Sequence, residues 1–253
     1  MAQNKNPGKV KAERLDKILA QLLDISRSDA SALIKAGRIS VNEEPALKAQ
    51  DKVLPHDLIY LDEELIEAAS AASQRRVLML NKPAGCVCAD KDKLHPTVHN
   101  YLTDVPHRDE LHCAGRLDLD ACGLLIITDD GALIHEITAP KKQVAKTYLV
   151  RTDVPIPENA KTLLERGVKH PEERERYRPA QFLSLGEKEA LVRVTEGRFH
   201  EVKRMFEVLG CSVVYLERRS IGRLTLPEDL KAGAFRALSE DEVSLLFESP
   251  EPL

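Results

Sequence analysis

One segment in the middle of the 253-residue chain places an acidic turn directly before a strongly apolar run. Residues 115–123 read Gly-Arg-Leu-Asp-Leu-Asp-Ala-Cys-Gly, and residues 124–131 read Leu-Leu-Ile-Ile-Thr-Asp-Asp-Gly. The short apolar run ends at the turn signal Asp130-Gly131, which predicts a buried strand at residues 124–128. The turn therefore leads into a sheet, where backbone geometry can aim one carboxylate into a cleft.

Two interpretations of this turn follow. An aspartate before a strand most often shapes a turn, because its side chain bonds its own backbone. Alternatively, the carboxylate acts on a substrate. The segment resembles the catalytic loop of the RsuA/RluB/E/F family of pseudouridine synthases, whose pattern is Gly-Arg-Leu-Asp, a few residues, Gly-Leu and a strand ending near Asp-Gly. The resemblance implies that Asp118 is the catalytic aspartate.

Two further segments extend the resemblance. Residues 146–148, Lys-Thr-Tyr, open a predicted strand, and in the family this tyrosine contacts the target base. Residues 196–206, Glu-Gly-Arg-Phe-His-Glu-Val-Lys-Arg-Met-Phe, match a family pattern in which a cation pairs with the catalytic aspartate. The resemblance implies these roles for Tyr148 and Lys203. Without it, a tyrosine on a half-buried strand and a solvated helix face are the ordinary interpretations.

The chain departs from the family at two positions. Glu201 stands where Gln is usual, and Ala121 stands where Thr is usual. Because both departures leave the implied acid and its cationic partner in place, we expect them to affect efficiency more than the reaction itself. Residues 81–85, Asn-Lys-Pro-Ala-Gly, also match the family, and the resemblance runs in the same order from about residue 13 to residue 247.

Residues 13–63 are predicted to form a small unit of their own. Apolar residues at positions 15, 18, 19 and 22 follow helical spacing, Ser26 is placed to cap a second helix, and Gly37 is placed to end it. The unit resembles an S4 RNA-binding domain, and a two-helix cap packed on its neighbour is the alternative. Its cations would contact phosphates without reading sequence: Arg14, Lys17, Arg27, Lys35 and Arg38.

The flanking segments and the second domain follow from composition and pattern. We expect a disordered basic arm at residues 1–12, an interdomain linker with some helical tendency at residues 64–75, and an acidic tail at residues 249–253. Between them, residues 76–248 show many strands and few helices in irregular order. This order predicts an α+β domain with a mixed or antiparallel sheet rather than a doubly wound one. One helix is expected at residues 157–166, beginning at its proline, and a final helix at residues 239–247, beginning with the cap Ser-Glu-Asp-Glu. Residues 146–152 alternate as a strand.

The charge distribution and the cysteines indicate what the protein binds and in which cellular compartment it works. The net charge is −4, but binding of RNA requires only a local basic face, and residues 9–38, 141–151 and 198–223 each hold more basic than acidic residues. No apolar run reaches about 18 residues, so we expect no membrane span. Five cysteines, an odd number, without an export signal favour reduced thiols in the cytoplasm.

A zinc site is an alternative interpretation of one group of residues. Its candidate ligands are Cys86, Cys88, His95, His99, His107, His112 and Cys113. No Cys-x2-Cys or His-x3-His pair in this group is matched by a second pair. We therefore expect no metal.

The resemblance implies a cofactor-independent isomerisation of uridine to pseudouridine in 16S rRNA, at uridine 516, in free RNA or in a partly assembled small subunit. A monomer is the default expectation. The chain has no P-loop or Gly-x-Gly-x-x-Gly motif for a nucleotide cofactor. Further residues expected to contact RNA are Arg116, Lys146, Arg198, His200 and Arg204. Three alternatives stay open: a 23S rRNA synthase of the same family, a non-catalytic RNA-binding or ribosome-assembly factor, and an α+β enzyme that does not act on RNA.

Overall fold

The structure, a computed structural model, describes residues 12–46, 48–54, 57–68, 75–106 and 108–253. The chain divides into two compact units, residues 1–75 and 76–253. The basic arm expected at residues 1–12 lies outside the described residues, except for Ala12. No helix in the described ranges is long and apolar enough to cross a membrane.

The first unit contains the two predicted helices. Its elements are β1 (Glu13–Arg14), α1 (Leu15–Leu23), α2 (Arg27–Lys35), β2 (Ile39–Val41), β3 (Glu44–Pro45), β4 (Lys52–Val53), β5 (Leu58–Leu61) and β6 (Glu64–Ala68). At the start of α2 the Ser26 side chain accepts a hydrogen bond from the Asp29 N–H, and Gly37 follows the helix with a φ of +71°. The apolar side of α1 packs in one core with Ile34 and Ile59.

Residues 64–68 form a strand instead of the expected linker with helical tendency. β6 pairs antiparallel with β5, from Leu61↔Glu64 to Leu58↔Ala68. The chain reverses through Asp62 and Glu63, whose φ values are 50° and 70°. A two-residue hairpin turn with positive φ at both residues is usually signalled by the sequence Asn-Gly or Asp-Gly. Asp62-Glu63 lacks the glycine, so the sequence did not predict this turn. Residues 69–74 of the expected linker lie outside the described part of the chain.

The second unit is built on one mixed sheet. Its strands are β7 (Val77–Lys82), β8 (His112–Cys113), β9 (Cys122–Thr128), β10 (Lys146–Thr152), β11 (Gln181–Gly186), β12 (Glu189–Val194), β13 (Val213–Ile221), β14 (Leu224–Thr225) and β15 (Phe235–Ala237). They lie in the order β11-β12-β10-β13-β9-β7-β15, with β14 beside β13 and β8 beside β9. Only the pairing of β13 with β9 is parallel among these described strands. The predicted α+β class with a mixed sheet is confirmed.

Four α-helices accompany this sheet in the described residues: α3 (Gly131–Thr138), α4 (Ala160–Glu165), α5 (Glu201–Val208) and α6 (Glu240–Leu245). Three short 3-10 helices lie at Val98–Tyr101, Arg108–Glu110 and Pro140–Lys142. Helix α6 has the capping box of Ser239 and Glu242 that its sequence suggests. The prediction for α4 was wrong at its start, because the helix begins at Ala160 and not at Pro157. The Asn159 side chain makes no capping hydrogen bond, and the first turn after Pro157 stays outside the helix.

The central strands are buried on both faces of the sheet. Leu78 and Leu80 of β7 pack in one core with Leu125 and Ile127 of β9. Their neighbours in sequence pack in a second core on the other face: Val77, Met79, Leu124 and Ile126. This period of two explains why residues 124–127 of the strand are all apolar, since each face of the strand meets a core.

Gly123 allows the parallel strands to approach each other directly after the acidic turn. β9 pairs with β13 through Cys122↔Glu217 and Gly123↔Arg218. Gly123 has a φ of +100°, and a Cβ built on it would lie 2.4 Å from the carbonyl oxygen of Arg218. Glycine is therefore required both by the backbone conformation and by the space. It fixes where residues 115–121, hereafter the acidic loop, enter the sheet.

Candidate active site

A cleft of about 610 Å³ opens beside the acidic loop. The loop forms one wall, β10 and β13 contribute to the lining, and the start of α5 lies opposite. The lining includes six of the eight site residues that the sequence indicated in the second unit: Arg116, Asp118, Lys146, Tyr148, Arg198 and His200. These residues are up to 84 positions apart in sequence, and only the sheet topology brings them together.

Asp118 lies between two side chains of the segment that begins α5. Its Oδ2 is 3.1 Å from Lys203 Nζ, and its Oδ1 is 3.5 Å from His200 Nε2. Lys203 also donates a 2.6 Å hydrogen bond to Asp120, whose side chain is 70% exposed against 26% for Asp118. Burial acts to lower the pKa of Lys203, but its hydrogen bonds to Asp120 and Asp118 outweigh this effect and raise the pKa. The ammonium therefore stays charged beside both carboxylates.

Lys82, the last residue of β7, binds the backbone of the acidic loop through its ammonium group. Its side chain is fully buried, and Nζ donates to the carbonyl oxygens of Asp118 at 3.0 Å, Ala121 at 2.7 Å and Pro83 at 3.1 Å. All three donors of the ammonium are thereby used. The sequence analysis gave Lys82 no role beyond its place in the turn segment at residues 81–85. One signal for its role was present, because Lys82 directly continues a buried apolar strand. A lysine buried at such a position needs several acceptors for its ammonium group.

Tyr148 lies on β10 with 8% of its surface exposed and contributes to the lining of the cleft. It is opposite Val192 on one side and Arg218 on the other. The register between β10 and β13 shifts between Thr147 and Tyr148. A register shift of this kind changes the direction of a side chain near a functional site, and here it lies directly before the tyrosine that lines the cleft.

Lys146 and Glu201 are buried charged groups at the cleft. Lys146 is 8% exposed, and its Nζ donates to the carbonyl oxygens of Val144 at 3.1 Å and Glu196 at 3.3 Å. Burial and then the charge of Arg218 lower its pKa to about 8. Glu201 is 5% exposed, and burial, followed by Glu196, raises its pKa to about 7. Lys146 is therefore an internal group, not the surface cation that its basic neighbourhood suggested.

Arg198 and Arg204 are both ion-paired to Glu173, in the segment between α4 and β11. Arg204 also contacts Glu172 at 3.1 Å and does not line the cleft. Its guanidinium lies 5.4 Å from the Phe199 ring centroid, and that ring stacks on His200 at 3.7 Å. The structure thus gives Arg204 protein partners in place of the open basic face expected from sequence.

Cys88 supports the acidic loop from another side. Its Sγ accepts a 3.3 Å hydrogen bond from the Leu117 N–H. A hydrogen bond from the Cys113 thiol is the main cause that lowers the pKa of Cys88 to about 6. Within the described residues, no group of three or more His, Cys, Asp or Glu side chains could hold a metal ion, and His107 lies outside that part of the chain.

Most of the cations that the sequence indicated in the first unit form ion pairs with carboxylates. Arg14 and Arg27 both contact Asp16, at 2.7 and 3.0 Å. Asp16 is buried, and the hydrogen bond from Arg14 is the main cause that lowers its pKa to about 2. Further ion pairs join Lys17 to Glu13 and Arg38 to Asp62, and Lys35 is exposed.

Comparison with known proteins identifies the family. The S4 domain model matches residues 13–59, and the model described as RNA pseudouridylate synthase matches residues 76–208. The second range includes Asp118 and Tyr148, which line the cleft, and Lys203, which contacts Asp118. The chain belongs to the RNA pseudouridylate synthase family. It is a pseudouridine synthase, an isomerase, with an N-terminal S4 domain.

The synthase is similar to named relatives over about nine-tenths of its length. It is 38% identical to the ribosomal small subunit pseudouridine synthase A of Haemophilus influenzae, over 92% of this chain and 99% of that protein. It is 40% identical to the protein of the same name from Escherichia coli K12, over 91% and 98%. A crystal structure of a pseudouridylate synthase, 38% identical, aligns with a TM-score of 0.66 over 92% of this chain and 99% of that one.

The buried carboxyl of Glu201 makes the stability of the synthase depend on pH. Its folded pKa of about 7 lies above the usual unfolded value of about 4.3, so its contribution is present below pH 4.3 and is lost as pH rises through 7. Glu201→Gln cannot ionise. We expect its stability advantage over wild type to be about 2 kcal/mol larger at pH 8 than at pH 5.

Urea unfolding at the two pH values measures this difference, and Glu187→Gln, at an exposed carboxyl, is the matched control. A Glu201→Gln advantage that is the same at pH 5 and pH 8 would contradict the prediction.

Proposed function

We propose that the synthase converts a specific uridine of 16S rRNA to pseudouridine, with Asp118 as the catalytic carboxylate. The observation that carries this proposal is the position of Asp118 in the cleft, with Lys203 and His200 at its two oxygens. Relatives that cover nine-tenths of the chain are named for the small ribosomal subunit, which supports the 16S substrate. By the family resemblance, the target is uridine 516.

The reaction breaks the bond between ribose C1′ and uracil N1, turns the base, and forms a bond from C1′ to C5. The sugar carbon becomes electron-poor when the first bond breaks, and the fixed carboxylate of Asp118 stabilises it. Lys203, whose Nζ is 3.1 Å from Oδ2, balances the charge of that carboxylate and fixes its orientation. Nothing is added or removed overall, so the proposed reaction uses no cofactor.

The remaining site residues are assigned to binding of the target nucleotide. A uridine inside a helix must leave its stack, at a cost of a few kcal/mol, and the cleft of about 610 Å³ is large enough to receive it. Tyr148 stacks on the base, and the exposed Arg116 contacts a phosphate or fills the space that the base leaves.

The partner of the S4 domain is the rRNA, free or in a partly assembled small subunit. Its cations contact phosphates and set the position of the enzyme without reading the sequence. We assign the synthase to the cytoplasm as a monomer, and its five free cysteines are typical of that reducing compartment.

Tritium release from C5-labelled uridine tests the proposal, because only rearrangement through C5 expels that hydrogen. The substrates are 16S rRNA, assembling small-subunit particles and 23S rRNA. We expect release from 16S rRNA in one or both small-subunit forms, and none from 23S rRNA. Release from 23S rRNA alone would assign the large-subunit substrate, and RNA binding without release from any substrate would indicate a non-catalytic factor.

A further inference from the structure

Arg218 of β13 is a buried arginine with one nitrogen left without a partner. The residue is 1% exposed and contributes to the lining of the cleft. Its Nε donates to the Leu124 carbonyl oxygen at 2.7 Å, and its Nη1 lies 3.4 Å from the carbonyl oxygen of Arg116 in the acidic loop. Its Nη2 is buried and has no hydrogen-bond partner among the described residues. A buried, charged donor without an acceptor is costly, so this nitrogen points to a ligand.

The positive charge of Arg218 is not neutralised by the contacts that it makes. Both of its hydrogen bonds go to backbone carbonyl oxygens, which carry no formal charge. Its charge lowers the pKa of Lys146 and contributes to the lowered pKa of Cys88. In contrast, the ammonium of Lys203 is already shared between Asp118 and Asp120. Arg218 is therefore a buried cation at the cleft whose charge is free to receive new negative charge.

We infer that Arg218 donates a hydrogen bond from Nη2 to a carbonyl oxygen of the target uracil and stabilises the negative charge that the base carries after its bond to ribose has broken. This inference rests on the proposed function. It places the sugar beside Asp118 and the base between Tyr148 and Arg218, which are opposite each other on neighbouring strands.

The charge on the base follows from the electron balance of the reaction. When the C1′–N1 bond breaks, its electron pair stays on uracil, which becomes an anion with charge spread over N1 and the two carbonyl oxygens. The sugar carbon loses that pair and faces the Asp118 carboxylate. When C5 then bonds to C1′, C5 releases its proton and N1 takes one up. A fixed guanidinium in a buried site stabilises such a transient anion more strongly than water does.

The first test compares Arg218→Met and Arg218→Lys with Arg219→Met. Arg219 is the next residue on the same strand, is 38% exposed in its side chain, and pairs with Glu217 outside the cleft. We expect both Arg218 variants to lower the single-turnover rate by roughly 10²-fold while the Kd for RNA changes less than about threefold. Arg219→Met should keep the wild-type rate. A change in Kd alone would overturn the inference.

The second test separates contact with the base from a purely structural role. Sulfur accepts hydrogen bonds more weakly than oxygen. A substrate with 2-thiouridine at the target therefore weakens the acceptor at position 2 of the base, and one with 4-thiouridine weakens the acceptor at position 4. We expect one of them to slow wild type and to slow the Arg218 variants little, because the contact is already lost. Equal slowing of wild type and variants by both substrates would overturn the inference. If Arg218→Met does not fold, Arg218→Lys serves for this comparison.

Tritium release by wild type is measured first, because it separates the two proposals. If wild type releases no tritium from any rRNA, the proposed function fails before Arg218 is tested. If wild type is active and the Arg218 variants are equally active, only the inference about Arg218 fails.

Discussion

Asp118→Asn is expected to abolish tritium release from C5-labelled 16S rRNA, with a loss of roughly 10⁴-fold or more in the single-turnover rate. The amide retains the shape of the side chain but not the charge that faces the electron-poor sugar carbon. It also loses the ionic contact to Lys203 at 3.1 Å. Binding of RNA and the melting temperature should stay close to those of wild type, since the side chain is partly exposed and the backbone is held by other groups.

Asp120→Asn is the matched control for this substitution. Asp120 also contacts Lys203, at 2.6 Å, but its side chain is 70% exposed. The same chemical change at this position is expected to lower the rate by less than about tenfold, because an exposed ion pair contributes little. Wild-type activity in Asp118→Asn together with a large loss in Asp120→Asn would transfer the catalytic role to Asp120.

Lys82→Met is expected to damage both the fold and the reaction. Methionine fills a similar volume but removes the ammonium donor from the carbonyl oxygens of Pro83, Asp118 and Ala121. The Asp118 oxygen still accepts from the Ala121 N–H and the Pro83 oxygen from the Cys86 thiol, so only the Ala121 oxygen is left without a donor among the described residues. An unsatisfied buried carbonyl costs about 1–3 kcal/mol, and we expect a net loss of about 2 kcal/mol in the free energy of unfolding, measured in urea.

The same variant should lower the single-turnover rate by roughly 10³-fold at a temperature where it is folded, because the acidic loop is no longer held in position. Lys161→Met makes the same change at a side chain that is 62% exposed, and should leave the unfolding free energy within about 0.5 kcal/mol. If Lys82→Met were as stable and active as wild type, Lys82 would not be what fixes the loop.

Local signals in the sequence determined most of the element positions. The Ser26 cap predicted α2, and the capping box of Ser239 and Glu242 predicted α6. Strand β10 has its predicted bounds, Lys146–Thr152. These predictions succeed because a cap or an apolar period acts between residues a few positions apart, and the chemistry of those residues is sufficient to specify it.

Two expectations differ from the structure, for different reasons. Strand β6 forms through a local hairpin turn that its residues do not signal. Lys146 was placed among surface cations, but the sheet buries it, and that burial depends on strands β12 and β13, which are distant in sequence. The RNA contact of Arg204 stays a prediction, and in the structure its guanidinium pairs with Glu173, 31 positions away.

Motif chemistry is carried by neighbouring residues, so the amino-acid sequence was enough to predict the α+β fold with two units and to indicate Asp118, Tyr148 and Lys203 as candidate site residues. How the site is held and charged depends on the three-dimensional fold. Lys82 reaches the acidic loop across 36 positions, and Arg218 reaches it across 102, through the parallel pairing that Gly123 permits. The physical reason is that buried charges must find acceptors within about 3 Å, and the topology of the sheet determines which acceptors are there.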